Sequence, residues 1–164
     1  MGYFIIIRGP LGCGKTTIAK RLVDILKAEY VSIDEVLEMH GLDEIDPNAE
    51  CISAENFIKA NEIVLPKAKQ NLQNGKVVIF DGCFYHKKPV VHLIKNLQYP
   101  HYIFTLKAPV DVCIERDHRR SKSYSEDATR AVHTLVSRFD CGTVIDVTKS
   151  LGEAINEIRS YLSK

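Results

Sequence analysis

Apolar positions along this 164-residue chain alternate between short β-branched runs and longer stretches with helical spacing. Tyr3–Arg8 is a nearly continuous apolar run, the pattern of a strand buried on both faces of a parallel sheet. In Thr16–Glu29, the residues Ile18, Leu22, Ile25 and Leu26 share one helical face. Tyr30–Ile33 reads as a second strand, and Asp34–His40 as a short helix stopped by Gly41. Ser53 is placed to cap a long helix reaching about Asn74, where Gly75 stops it. Pro66 inside that stretch predicts a kink or a split into two helices. Lys76–Phe80 and Tyr102–Leu106 are the third and fourth strands, with a helix from about Lys88 to Leu97 between them. Val110–Arg120 and Glu126–Phe139 read as helices around a polar stretch. Ala128, Val132, Leu135, Val136 and Phe139 form an apolar stripe along the second. Thr143–Val147 is the fifth strand, and Leu151–Leu162 is an amphipathic closing helix.

Five strands alternating with helices predict α/β architecture: a single domain over residues 1–164, built as a three-layer α/β/α sandwich on a five-stranded parallel sheet. Right-handed crossovers then place ligands at the carboxyl ends of the strands.

Composition narrows the class of partner. Lys and Arg number 22 against 21 Asp and Glu, a formal net charge of +1. That balance argues against a nucleic-acid coat or a polybasic membrane anchor, and leaves a local basic patch open. The apolar run Tyr3–Ile7 is far shorter than the roughly 18 residues of a membrane span. It also lacks the basic flank and cleavage site of a signal peptide, so a cytoplasmic protein is expected. Cys13, Cys51, Cys83, Cys113 and Cys141 are dispersed singly, and the histidines form no H-E-x-x-H pair. Neither a disulfide framework nor a structural metal is expected from such spacing.

The segment GPLGCGKT from Gly9 to Thr16 matches G-x-x-x-x-G-K-[ST] at every fixed position, between a buried strand and an amphipathic helix. Gly9, Gly12 and Gly14 let the backbone curl so that its N–H groups converge on a phosphate. The helix starting near Lys15 adds the positive end of its dipole. Lys15 is assigned to the β- and γ-phosphates and Thr16 to Mg²⁺, with Cys13 and Thr17 completing the ATP-binding set. Cys13 fills a variable position of the loop; a small-residue choice and a redox-sensitive thiol are both open to it.

No N-K-x-D follows a later strand, as a GTPase switch would need. The hydrophobic strand ending at Asp81 continues with Gly82, so it lacks the acidic pair of a motor ATPase. A small kinase remains, moving the γ-phosphate to an acceptor hydroxyl. Asp34 ends the second strand nineteen residues beyond Lys15 and is the candidate general base, with a helix N-cap as its other reading. Asp81 is the candidate Mg²⁺ ligand, with a turn role in Asp81-Gly82 as the alternative. Arg116 and Arg120 are four apart and would share a helical face. With Lys122 beyond them they read either as a lid over about residues 114–126 that closes on the triphosphate, or as a solvated basic helix end.

These segments resemble the small P-loop kinases related to polynucleotide 5′-hydroxyl kinases, zeta-toxin-type kinases and chloramphenicol phosphotransferases. The likeness rests on Ile7-Arg8-Gly9-Pro10 with Gly14-Lys15-Thr16, on Ser32-Ile33-Asp34-Glu35, on Phe80-Asp81-Gly82 and on Arg116-x-x-x-Arg120. The resemblance implies a nucleoside-kinase-like fold with a helical lid, Asp34 as base, and Arg120 and Arg116 as lid arginines. It also implies that the stretch Ile145–Thr148 packs on adenine; by spacing alone, Thr148 and Lys149 suit a turn and helix cap equally. The chain departs from polynucleotide kinases at Leu37, where those enzymes carry an arginine for a nucleic-acid phosphate. A nucleoside or polynucleotide 5′-hydroxyl and a small metabolite both stay open as acceptors, as does an ATP-binding regulatory module or slow ATPase without a dedicated acceptor. The insert Gly82–Lys88 mixes aromatic and basic residues. It is suited either to gripping an acceptor or to packing its aromatics on the core.

Overall fold

The computed structural model describes residues 1–121 and 123–162; Lys122, counted above with the basic segment, lies outside the described residues. Strand β1 (Tyr3–Arg8) leads into α1 (Lys15–Leu26), followed by β2 (Glu29–Ser32), α2 (Ile33–Met39), α3 (Ala54–Gln73) and β3 (Val77–Gly82). Then come α4 (Lys87–Leu97), β4 (His101–Lys107), α5 (Val110–His118), α6 (Glu126–Val136), β5 (Thr143–Asp146) and α7 (Leu151–Leu162). The five strands form one parallel sheet in the order β2-β3-β1-β4-β5.

The two faces of β1 explain its unbroken apolar sequence. Phe4 and Ile6 pack with residues of α2, α3, α4 and α6 on one side of the sheet. Ile5 and Ile7 pack with α1, α5 and α7 on the other. β1 is central, with β3 on one side and β4 on the other, and the crevice beyond its carboxyl end is where such sheets bind ligands. Register brings three segments to that edge: Ile7 lies opposite Asp81, Arg8 opposite Gly82, and Ser32 opposite Asp81.

Helix boundaries differ from the sequence expectation for local reasons. Helix α1 stops at Leu26 because Lys27 takes a left-handed conformation (φ 53°) and the Ala28 amide bonds back to the Val23 carbonyl at 3.0 Å. That turn releases Glu29 to pair in β2. Pro66 neither splits α3 nor ends it; the helix runs 20 residues through it. Glu62, whose carbonyl loses its donor, and Pro66 are both exposed, so water can serve the freed carbonyl. Phe57, Ala60, Leu65, Ala68 and Leu72 meanwhile hold the opposite face in the core.

Gly142, just before β5, has φ 67°, and a Cβ there would lie 2.1 Å from the Ile103 carbonyl oxygen. Gly142→Ala is expected to cost about 2–3 kcal/mol, lowering Tm by roughly 5–10 °C. Differential scanning calorimetry checks this, and an unchanged Tm would mean the turn relaxes freely. Among the described residues no helix is long and apolar enough to cross a membrane.

Candidate active site

The loop between β1 and α1 turns on Gly12 (φ 77°) and Gly14 (φ 95°), conformations that side chains with a Cβ rarely adopt. A Cβ on Gly12 would also meet the Cys113 carbonyl oxygen at 2.2 Å, so α5 lies directly against the loop. Gly14 precedes the first residue of α1, which points the free amides of that helix into the loop. Gly12, Gly14, Lys15, Thr16, Arg116 and Arg120 together line a crevice of about 380 Å³. Gly9 packs beneath it, against the Cys13 sulfur and Leu106. Cys13 is 1% exposed, and burial pushes its thiol up from the ordinary value despite nearby Lys15 and Arg116. That disfavours thiolate chemistry.

Lys15 is 7% exposed, and its ammonium lies 3.5 Å from Asp34 Oδ2 and 3.7 Å from Asp81 Oδ1. Burial alone would lower its pKa, but Cys83, Asp81 and Asp34 outweigh burial and hold it well above the ordinary value. The Cys83 thiol is itself pushed well up by burial, so the two carboxylates supply the field at neutral pH. A cation whose folded pKa is raised keeps its stabilising contribution below the unfolded value and loses it only as pH climbs through the raised one. Affinity for AMPPNP is therefore expected to stay flat between about pH 8 and pH 10. A fall in fluorescence-detected binding across that window would show Lys15 losing its proton there.

Asp34 is the second residue of α2, and Ser32 caps that helix by accepting from the Glu35 amide at 3.2 Å. The capping role open to Asp34 is thus filled by Ser32. The Asp34 carboxylate accepts from the Cys83 amide at 3.3 Å and faces Lys15. Asp81 is 1% exposed; its Oδ2 accepts from the Tyr30 hydroxyl at 2.6 Å, and its buried Oδ1 has no hydrogen-bond donor. A hard divalent cation takes oxygen ligands. A buried carboxylate oxygen without a hydrogen-bond donor, 3.7 Å from the Lys15 ammonium, and Thr16 on the crevice that Lys15 lines fit such an ion.

The two lid arginines are not stacked on one helical face. Helix α5 ends at His118, and the Arg119 and Arg120 amides fold back onto the Arg116 and Asp117 carbonyls in a tightened turn. Asp117, 1% exposed, then accepts the Tyr124 amide at 2.8 Å and bends the chain away. Arg116 and Arg120 still reach the same crevice, Arg116 by donating to the Cys13 carbonyl at 3.0 Å. Thr148 does not join them. Its hydroxyl donates to Asp146 at 2.6 Å, and it lines a separate cavity with Pro109 and His133. Its neighbours Val147 and Lys149 instead line a cavity of about 220 Å³ with Gly14, Thr17, Ile18 and Arg116.

On the other side of Lys15, Asp34 opens onto a cavity of about 230 Å³ that Leu37, Cys83 and Tyr85 also line. The insert after β3 supplies part of that wall and otherwise packs on the core. Phe84 is fully buried, and the Phe57 and Tyr85 rings meet edge-on at 5.1 Å between centroids. The Tyr85 hydroxyl accepts from the Ile52 amide at 2.8 Å. Sequence reasoning assigned no role to Tyr30, Asp117 or Arg8. Buried Arg8 donates to the carbonyls of Phe84, Val136 and Phe139 and to the Thr105 hydroxyl, at 3.0–3.1 Å. The one available signal for Arg8 was an arginine inside an otherwise apolar strand.

Among curated proteins the chain is similar to shikimate kinase 2 of Escherichia fergusonii, at 26% identity over 174 aligned positions covering 98% of this chain and 92% of that one. Its fold matches a gluconokinase from Sinorhizobium meliloti 1021, with TM-score 0.72 and 14% identity over 97% of this chain and 90% of the other. It also matches the Mycobacterium tuberculosis APS kinase in complex with AMPPNP and APS, with TM-score 0.74 and 16% identity over 99% and 98%. The architecture is that of a P-loop kinase. The AAA domain family model matches residues 4–140, and the chain belongs to that family.

Proposed function

We propose that this protein is an ATP-dependent kinase that transfers the γ-phosphoryl group of ATP to a hydroxyl of a small acceptor. The observation that carries the reading is Lys15, held between Asp34 and Asp81 where the phosphate-binding crevice meets a second cavity. The β- and γ-phosphates bind the loop amides and displace the Lys15 ammonium from its carboxylate partners. Arg116 and Arg120 flank the transferring group and neutralise its charge. Val147, Lys149 and Arg116 frame the space assigned to the nucleotide base. Asp34 takes the proton of the acceptor hydroxyl as its oxygen bonds to phosphorus and the bond to the ADP oxygen breaks. Asp81 and Thr16 are the residues that would hold Mg²⁺, which supplies charge neutralisation for the phosphates.

Of the acceptors implied by resemblance, a small metabolite suits this chain better than a polynucleotide. Leu37, which replaces the arginine that holds a nucleic-acid phosphate, is 1% exposed on the wall of the second cavity. Measuring ADP release with and without acceptors tests the reading. Acceptor-dependent release is expected; steady release unaffected by any acceptor would instead mean a hydrolase.

A further inference from the structure

The two carboxylate oxygens of Asp81 have different surroundings. Asp81 is 1% exposed, and its Oδ2 accepts from the Tyr30 hydroxyl at 2.6 Å. Its Oδ1 has no hydrogen-bond donor among the described residues and lies 3.7 Å from the ammonium of Lys15, which lines the phosphate crevice. One oxygen is therefore held by a phenol, and the other is open to a cation.

The register of the sheet explains why a tyrosine stands at this place. Tyr30 lies opposite Ile79, two residues short of Asp81, and Ser32, directly opposite Asp81, caps α2. Two residues along a strand span about 6–7 Å, a reach that a tyrosine side chain has and a serine or threonine lacks. Alternation puts Ile79 and Asp81 on one face of β3. Tyr30 packs with Ile79, Ile18 and Leu22 on that side of the sheet, and the Lys20 ammonium of α1 lies 5.8 Å from its ring centroid. Burial, then the Asp81 charge, holds the Tyr30 hydroxyl above its ordinary value, so it remains a donor at neutral pH. A hydrogen bond to a carboxylate is roughly twice as strong as one between neutral groups. It also fixes the rotation of the carboxylate about its Cβ–Cγ bond.

We propose that Tyr30 is a positioning residue for the divalent-cation site, a proposal that rests on assigning that site to Asp81 and Thr16 as above. By holding Oδ2, Tyr30 leaves Oδ1 as the oxygen offered to the ion. Outer partners that orient a ligating carboxylate in this way contribute on the order of tenfold or more to metal affinity. A phenylalanine in its place would keep the ring but leave Oδ2 without its donor, and the carboxylate could then turn both oxygens toward Lys15. A tyrosine that only satisfied a buried carboxylate would support folding and leave the affinity for the ion unchanged.

Calorimetric titration with AMPPNP, once in EDTA and once in Mn²⁺, tests the proposal in wild type, Tyr30→Phe, Asp81→Asn and the double variant. The ratio of the two affinities measures the protein's own hold on the metal, and the EPR signal of free Mn²⁺ reads the same quantity independently. Tyr30→Phe is expected to bind metal-free AMPPNP as wild type does, which also shows that it folds, while its Mn²⁺ enhancement falls about tenfold. Added to Asp81→Asn, the same substitution is expected to cause no further loss, because it acts through that carboxylate. An intact enhancement in Tyr30→Phe, an equal loss with and without metal, or a full further loss in the Asp81→Asn background overturns the proposal. So does a wild-type affinity that Mn²⁺ leaves unchanged. None of these measurements needs phosphoryl transfer. A protein that shows the expected loss yet phosphorylates nothing sinks only the kinase reading. One that phosphorylates an acceptor while Tyr30→Phe keeps its Mn²⁺ enhancement sinks only this proposal.

Discussion

The Asp34→Asn protein is expected to lose phosphoryl transfer by about a hundred- to ten-thousandfold in kcat, the range for removing a positioned general base, while its affinity for ATP stays within about twofold of wild type. Asparagine is isosteric with aspartate and can still accept the Cys83 amide that Asp34 binds at 3.3 Å. What it cannot do is take a proton. Lys15 would lose one carboxylate partner at 3.5 Å but keep Asp81 at 3.7 Å, so the phosphate loop stays arranged. Asp34 is partly exposed, and its lost ion pair should barely change stability. The mutant therefore separates chemistry from binding. Full kcat in it would mean that another group, or water alone, takes the proton.

A second large effect is expected in stability. Arg8 is fully buried, without a carboxylate partner within ion-pair distance among the described residues. Its guanidinium lies 4.2 Å from the Phe139 ring centroid and donates to the Val136 and Phe139 carbonyls at and just beyond the end of α6. A cation is favoured there by the helix dipole and by the ring face. The same group holds Phe84, a non-glycine residue at φ 40°, through its carbonyl. Burial lowers the Arg8 pKa, but an arginine starts so high that it remains charged at neutral pH. Arg8→Met would strip donors from three buried or half-buried carbonyls and one hydroxyl. Removing such a hub is expected to cost about 3–5 kcal/mol, a fall of roughly 10–15 °C in Tm. Arg8→Lys should recover little, since an ammonium cannot reproduce the planar fork. Chemical denaturation showing a loss under about 1 kcal/mol would mean water takes over these acceptors.

The layers, the parallel sheet and the phosphate loop were legible because their determinants are local. A buried strand, a glycine-rich turn and an amphipathic helix lie within 24 residues of each other, from Tyr3 to Leu26. Asp34 and Asp81 were legible because parallel strands deliver their carboxyl ends to one edge. Features that depend on distant partners stayed hidden. Arg8 binds groups 76 to 131 residues away, and no spacing in the strand announces them. The cavity beside Asp34 draws its wall from α2, the start of α3, the insert and α6, each with an ordinary apolar residue. The lid was half read. The arginine pair does meet the phosphate crevice, but Asp117 ends the helix before Arg120, and an acidic residue inside a basic run gave no sign of that role. Thr148 shows the limit of single-residue assignment, since the adjacent Val147 and Lys149 face the loop side.

The most direct test of the kinase reading follows the phosphoryl group itself. Purified protein with γ-labelled ATP and Mg²⁺ is incubated with neutral aryl alcohols, sugars, nucleosides, shikimate and 5′-hydroxyl oligonucleotides, beside the Asp34→Asn protein. Label on a small hydroxylated acceptor, absent with Asp34→Asn, is the predicted result. Bound ATP with no label on any acceptor, and phosphate released at the same rate with and without them, would contradict it.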